Sequence, residues 1–116
     1  MFGFSRKLRL LSKGEYSRVF EKNRRCSDRY WIILVHRSGT DSEPKLGLAI
    51  AKKRAKRAVD RNRLKRVARE AFRHHQSQLN GCHLVIMNRD VAAGASANSL
   101  RHSLDKLLNT IGEKSK

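Results

Sequence analysis

The stretch Gly47-Leu-Ala-Ile-Ala-Lys-Lys53, followed by Arg57-Ala-Val-Asp-Arg-Asn-Arg-Leu-Lys-Arg-Val-Ala-Arg-Glu-Ala-Phe72, decides the fold. From Leu46 to Ala51 the residues alternate. Leu46, Leu48 and Ile50 point one way, and Gly47, Ala49 and Ala51 the other, which predicts a strand. Its small-residue face leaves room for a close neighbour, either a packed helix or a ligand backbone. Further on, Leu64, Val67, Ala68, Ala71 and Phe72 recur at i, i+3, i+4, i+7 and i+8, the apolar stripe of a long helix over about 55–79. Arg57, Arg61, Lys65, Arg69 and Arg73 form an i+4 row read as lying away from that stripe. Asn80-Gly81 stops the helix, and Leu84 to Met87 reads as a further buried strand.

Working outward, Tyr30 to Arg37 is β-branched and aromatic, and too short for a helix, so it predicts a strand. Ser38 to Pro44 is a turn-rich loop. Ser12-Lys-Gly-Glu15 matches a capping box and opens a helix over about 13–22, with Tyr16, Val19 and Phe20 on one face. A short edge strand is expected around Arg24 to Ser27. Ser96 caps a last helix over 97–111, whose Leu100, Leu104, Leu107, Leu108 and Ile111 face a core. The order is α-β-β-β-α-β-α, an α+β class with one mixed sheet and helices packed on it. A single domain over residues 1–116 is expected, with its core at about 4–111 and short flexible termini.

The 116 residues include 27 Lys or Arg and 10 Asp or Glu, a net charge of +17 at pH 7. Eleven of the basic residues fall between Lys52 and Arg73, opposed only by Asp60 and Glu70, so this 22-residue window carries +9. A solvated helix usually mixes both signs. A one-signed run repels itself until a polyanion relieves it, and nucleic acid is the leading candidate. The longest strongly apolar run is Tyr30 to Val35, far short of a membrane span. The first ten residues interrupt their apolar positions with charge, unlike a secretory signal, so a cytoplasmic protein with reduced Cys26 and Cys82 is expected. His36, His74, His75, His83 and His102, even with Cys82, lack the spacing of a structural zinc site. No serine, cysteine or carboxylate constellation for independent hydrolysis is recognisable. Asp60 and Glu70 read as helix charge partners.

The two stretches quoted above resemble the protein subunit of bacterial ribonuclease P. The hallmark is Arg61-Asn62-Arg63, with Gly47-Leu-x-x-x-Lys-Lys53 ahead of it and Lys65-Arg-x-x-Arg-Glu-x-Phe72 after it. Arg6-Lys-Leu-Arg-Leu-Leu-Ser12 and the aromatic pair Tyr16 and Phe20 fit as well, so the resemblance spans about residues 4–110. It implies an α-β sandwich like the second domain of a small-subunit ribosomal protein, with a left-handed crossover around the motif, although about 98% of such connections are right-handed. It also implies a catalytic RNA partner that, with Mg²⁺ bound mainly by that RNA, cuts the 5′ leader from precursor tRNA. The protein would bring no nucleophile and no cofactor of its own. The competing expectation is a structural RNA-binding protein of ribosomal type. A membrane partner is not expected, because the apolar stripe is needed for the core. No oligomeric state is read from the sequence.

The RNA-binding set expected on these grounds is Lys52, Lys53, Arg57, Arg61, Asn62, Arg63, Lys65, Arg66, Arg69 and Arg73. Arginine offers a planar fork suited to phosphate and stacks on bases. Arg61 and Arg63, two apart, cannot share a helix face, so one can touch RNA while the other packs or pairs elsewhere. Asn62 either organises the helix start or contacts RNA or a metal-bound water. Tyr16 and Phe20, read from spacing alone, are core residues or a stacking platform. The resemblance assigns them to a leader cleft, together with Ile32, Leu34, His36, Ala49, Ala51 and Arg89. The family often has an aromatic at the position of Leu34, and His36 is the candidate substitute.

Overall fold

The computed structural model describes residues 13–37 and 43–114. The elements are α1 (Lys13–Glu21), β1 (Arg24–Ser27), β2 (Trp31–Arg37), β3 (Lys45–Ala49), α2 (Ala58–His75), β4 (Cys82–Asn88) and α3 (Ala97–Lys114). The expected order holds, and the edge strand falls where the sequence places it. Ser12, the N-cap of the expected capping box, lies outside the described residues. Glu15 accepts a hydrogen bond from Lys45 Nζ at 2.6 Å.

The four strands form one mixed sheet in the order β1-β2-β4-β3. β1 with β2 and β2 with β4 are antiparallel, whereas β3 with β4 is parallel. A parallel pair cannot be closed by a tight turn, and α2 is the crossover that joins it. Register and side-chain alternation give the sheet two faces. One carries Trp31, Ile33, Val35, Leu46, Leu84 and Ile86 and is buried under α2 and α3. The predicted stripe, Leu64, Val67, Ala68, Ala71 and Phe72, lies in this core with Leu100, Leu104, Leu108 and Ile111. Trp31 is fully buried, and its indole N–H donates to the Leu100 carbonyl at 3.1 Å. His75 Nε2 lies 3.1 Å from Asp105 Oδ1 and joins α2 to α3.

The other face carries three cross-strand rows: Ser27–Ile32–Met87–Ala49, Arg25–Leu34–Val85–Gly47 and His36–His83–Lys45. α1 packs here. Val19 is buried against Ile32, Leu34 and Val85, which contributes roughly 1.5–3 kcal/mol for a side chain of this size. The small-residue face of β3 is filled by a helix side chain: a Cβ added at Gly47 would meet the Tyr16 ring at 2.7 Å.

Of the expected boundaries, β2 starts one residue later at Trp31, β4 extends to Cys82–Asn88 and α3 to Lys114, and three others shift for a visible reason. β3 ends at Ala49 rather than Ala51, because the Ala51 N–H leaves the ladder and donates to Asn88 Oδ1 at 2.9 Å. The long helix starts at Ala58 rather than 55, since Lys52–Arg54 form a separate 3₁₀ turn and Ala55 is extended behind it. It ends at His75, followed by a 3₁₀ turn over Gln76–Gln78, and Gly81 reverses the chain at φ 81°. Cys26 and Cys82 are not joined in a disulfide, and Cys82 Sγ accepts a hydrogen bond from Arg37 Nη1 at 3.5 Å. Cys26 pairs with Ile33 and Cys82 with Arg37, a separation of about 13 Å along the sheet, too far for a disulfide.

The Tyr16–Gly47 contact is testable by a double-mutant cycle. Gly47→Ala should cost about 1–3 kcal/mol in the wild-type background, because the added methyl displaces the ring. It should cost little in a Tyr16→Ala background. Denaturant melts of the four proteins measure this, and simple additivity would mean that the ring does not sit on Gly47.

Candidate nucleic-acid interface

The connector from Ala51 to Arg57 and the start of α2 carry the densest positive charge. Lys52, Lys53, Lys56 and Arg57 are exposed on the connector, and Asn62, Arg66, Arg69 and Arg73 are exposed on the helix, with Lys65 half-buried. Compensation is slight. Asp60 Oδ1 lies 3.0 Å from Arg63 Nη2, and its other oxygen lies 4.0 Å from Arg57 Nε. Glu70 is exposed on the helix.

Arg61 and Arg63 are half-buried and engaged inside the protein. Arg61 Nη1 donates to the Ala55 carbonyl at 2.9 Å and to the Lys56 carbonyl at 2.8 Å. Arg63 Nη2 donates to Asp60 Oδ1 and, at 2.6 Å, to the carbonyl of Ala93 in the 3₁₀ segment Asp90–Gly94. The i+4 row was expected on the solvent side along its whole length. At about 100° per residue, such a row drifts by about 40° per step. Arg73 and Arg69 lie opposite the apolar stripe, but by Arg61 the row has rotated to the stripe's edge.

Two connector residues absent from the expected set, Arg54 and Lys56, belong to this surface. Lys56 is exposed. Arg54 Nη1 donates to the Asn88 carbonyl at 3.3 Å, and its Nε lies 3.8 Å from Asp90. Asn88 was also missed. It is fully buried at the end of β4, one residue beyond the strand read from the apolar run, and a lone Asn there carries no pattern.

The expected cleft residues are only partly brought together. Ile32 and Ala49 share a row with Met87, and Ala51 and Arg89 lie just beyond the ends of β3 and β4, beside the basic connector. Arg89 Nε is buried without a hydrogen-bond partner among the described residues. Leu34 is covered by Val19, so this position forms part of the seat for α1. Tyr16 is half-buried over Gly47, whereas Phe20 is 49% exposed. His36 lies about 13 Å along β2 from Ile32, under the end of α1, where its Nδ1–H donates to the Lys22 carbonyl at 3.0 Å. That distance sets it apart from the floor around Ala49.

His36 faces His83 across the strands, with ring centroids 6.1 Å apart. Burial holds the His83 pKa below its ordinary value, and the neighbouring charges of Lys45 and His36 add to the effect. Among the described residues, no three His, Cys, Asp or Glu side chains cluster so as to hold a metal ion, and no helix is long and apolar enough to cross a membrane.

The family profile described as Ribonuclease P matches residues 4–112, nearly the whole chain. The chain belongs to the ribonuclease P protein family. It is 38% identical over 115 residues to the ribonuclease P protein component of Pseudoalteromonas translucida, covering 99% of this chain and 81% of that one. The Vibrio campbellii component is also 38% identical over 115 residues, covering 99% and 97%. The Thermotoga maritima RNase P protein superposes with a TM-score of 0.76 at 26% identity, over 89% of this chain and 96% of that one. The Staphylococcus aureus RNase P protein shares the fold at TM-score 0.80 and 23% identity, over 89% and 94%. The span matched to the ribonuclease P family includes the basic connector, α2 and the face under α1.

The lowered His83 pKa predicts a pH-dependent stability. Unfolded His83 titrates near 6.5, and folded His83 lower. Between the two values only the unfolded chain binds the proton, so stability falls as pH drops below about 6.5 and levels off once folded His83 protonates. His83→Gln should flatten that part of the profile. Thermal melts from pH 7.5 downward at fixed ionic strength measure this, and equal slopes in both proteins would exclude His83 as the source.

Proposed function

We propose that this chain is the RNA-binding protein subunit of ribonuclease P, acting in the cytoplasm to assist removal of the 5′ leader from precursor tRNA. The observation that carries the reading is the family match over residues 4–112, which includes a connector and helix whose exposed cations lack matching carboxylates. Lys52, Lys53, Lys56 and Arg57 with Lys65, Arg66, Arg69 and Arg73 would bind phosphates of the catalytic RNA, and Asn62 lies among them. The half-buried floor of Met87 and Ala49, beside Ile32 buried under Val19, rimmed by Ala51 and Arg89 and continuous with the connector, would hold the single-stranded leader. Phe20 offers an exposed ring for base stacking, which is worth about 1–3 kcal/mol per base. The half-buried guanidinium of Arg89 at this rim offers a planar fork suited to a leader phosphate.

The chain supplies binding and orientation. Mg²⁺ held by the RNA would stabilise the attacking and leaving oxygens of the phosphodiester. The residues of this chain would raise the local concentration of precursor at that centre and fix the leader's path, an effect that matters most when Mg²⁺ is scarce and the RNAs repel each other. In a cleavage assay at low Mg²⁺, correct 5′ cleavage should require the cognate catalytic RNA and be strongly stimulated by the protein. Tight but indiscriminate RNA binding without stimulation would favour the structural, ribosomal-type reading.

Arg66→Ala combined with Arg69→Ala should weaken binding to the catalytic RNA. The slope of log K against log salt should flatten by roughly 1.5–2 units, the release expected for two lost phosphate contacts. A filter-binding titration across salt concentrations measures both, and an unchanged slope would remove this helix face from the interface.

A further inference from the structure

Asn88 has zero exposure, yet it is polar and sits at the end of a strand that is otherwise apolar on its buried side. Its Nδ2 has no hydrogen-bond partner among the described residues, so the residue carries a desolvation cost that a leucine would avoid. What it provides is its Oδ1, which accepts the Ala51 N–H at 2.9 Å, while its main-chain carbonyl accepts from Arg54 at 3.3 Å. These two bonds tie the start of the basic connector to the centre of the sheet. Arg61 ties its far end, holding the Ala55 and Lys56 carbonyls with one nitrogen. Arg63 fastens the first turn of α2 to Ala93.

We infer that Asn88, Arg61 and Arg63 are positioning residues for RNA binding. They hold the connector in one shape, so that Lys52, Lys53, Lys56 and Arg57 project into solvent as a ready-made phosphate-binding array. The inference rests on the proposed function and assigns a division of labour within it. Both charges of the Arg-Asn-Arg motif are spent on the protein's own carbonyls, and the contacts to RNA fall to the exposed cations around it. The physical reason is self-repulsion. Five cations within the six residues 52–57 would splay a free loop, and ordering it on binding would cost affinity. Carbonyl oxygens gathered by arginine forks hold the loop in place before RNA arrives.

The test uses the full chain with Asn88→Leu and Arg61→Ala, and reads three quantities: amide hydrogen exchange in the free protein, affinity for the cognate catalytic RNA, and the salt slope. Both variants should exchange the amides of residues 52–57 about tenfold faster or more, with the amides of β2 and β4 still protected. Affinity should fall about tenfold while the salt slope stays at the wild-type value, because no phosphate contact is lost. For Arg61→Ala, unchanged exchange together with a slope lowered by about one unit would overturn the inference and make Arg61 a phosphate contact. Faster exchange with unchanged affinity would overturn it too, since the ties would then not serve binding. If Asn88→Leu fails to fold, half-buried Arg61 carries the test by the same readouts. A wild-type chain that does not bind the catalytic RNA would overturn the proposed function and the use assigned to the ties. The exchange measurement, made without RNA, would still report whether the ties exist.

Discussion

The parallel pairing of β3 with β4 is the constraint on which the rest of the molecule depends. Two parallel neighbours need a crossover, and here the crossover is the most basic helix in the chain. The pairing therefore fixes where the charge goes. The connector leaves β3 at the same end of the sheet where β4 finishes, so the cations of 52–57 lie beside Ala51, Asn88 and Arg89. A hairpin in place of the crossover would have scattered these groups.

α2 must satisfy two demands with one periodicity. Its stripe from Leu64 to Phe72 fills the core between the sheet and α3, and the charge on its remaining surface is mostly cationic. A helix of this kind gains little from surface ion pairs, which are worth 0–1 kcal/mol even when present. Its position is held by apolar burial and by arginines turned inward onto carbonyls. The free protein thus keeps an electrostatic tension that a bound polyanion would relieve.

Among the described residues, the second face of the sheet is organised by α1. Val19 covers Leu34 and Val85, Tyr16 occupies the space left by Gly47, and Lys45 pairs with Glu15 at one end. The histidine pair His36 and His83 lies under the other end. The helix reaches Ile32 through Val19 and leaves the half-buried Met87 and Ala49 at the side nearest the basic connector. This edge of the sheet face and the array of cations on the connector are thereby made continuous, although they are far apart in sequence.

The order of elements, the stripe of α2 and the concentration of charge could be read directly from residues, because hydrophobic periodicity and charge density are local properties. The alternation at Leu46–Ala51 announced both a strand and a vacancy on one side of it. That the vacancy belongs to Tyr16 required the packing of α1, more than 30 residues away in the chain. The Arg-Asn-Arg motif identified the family but not the task of each arginine. The drift of an i+4 row around the helix, and the presence of Ala55, Lys56 and Ala93 carbonyls within reach, turned Arg61 and Arg63 inward. Asn88 had no local signature, since a buried acceptor matters only for the N–H that three-dimensional folding brings to it. The sequence by itself determined which side chains are apolar, which are charged and with what period. Tertiary structure decided which polar groups face each other, because hydrogen bonds act over about 3 Å and can join groups from anywhere in the chain.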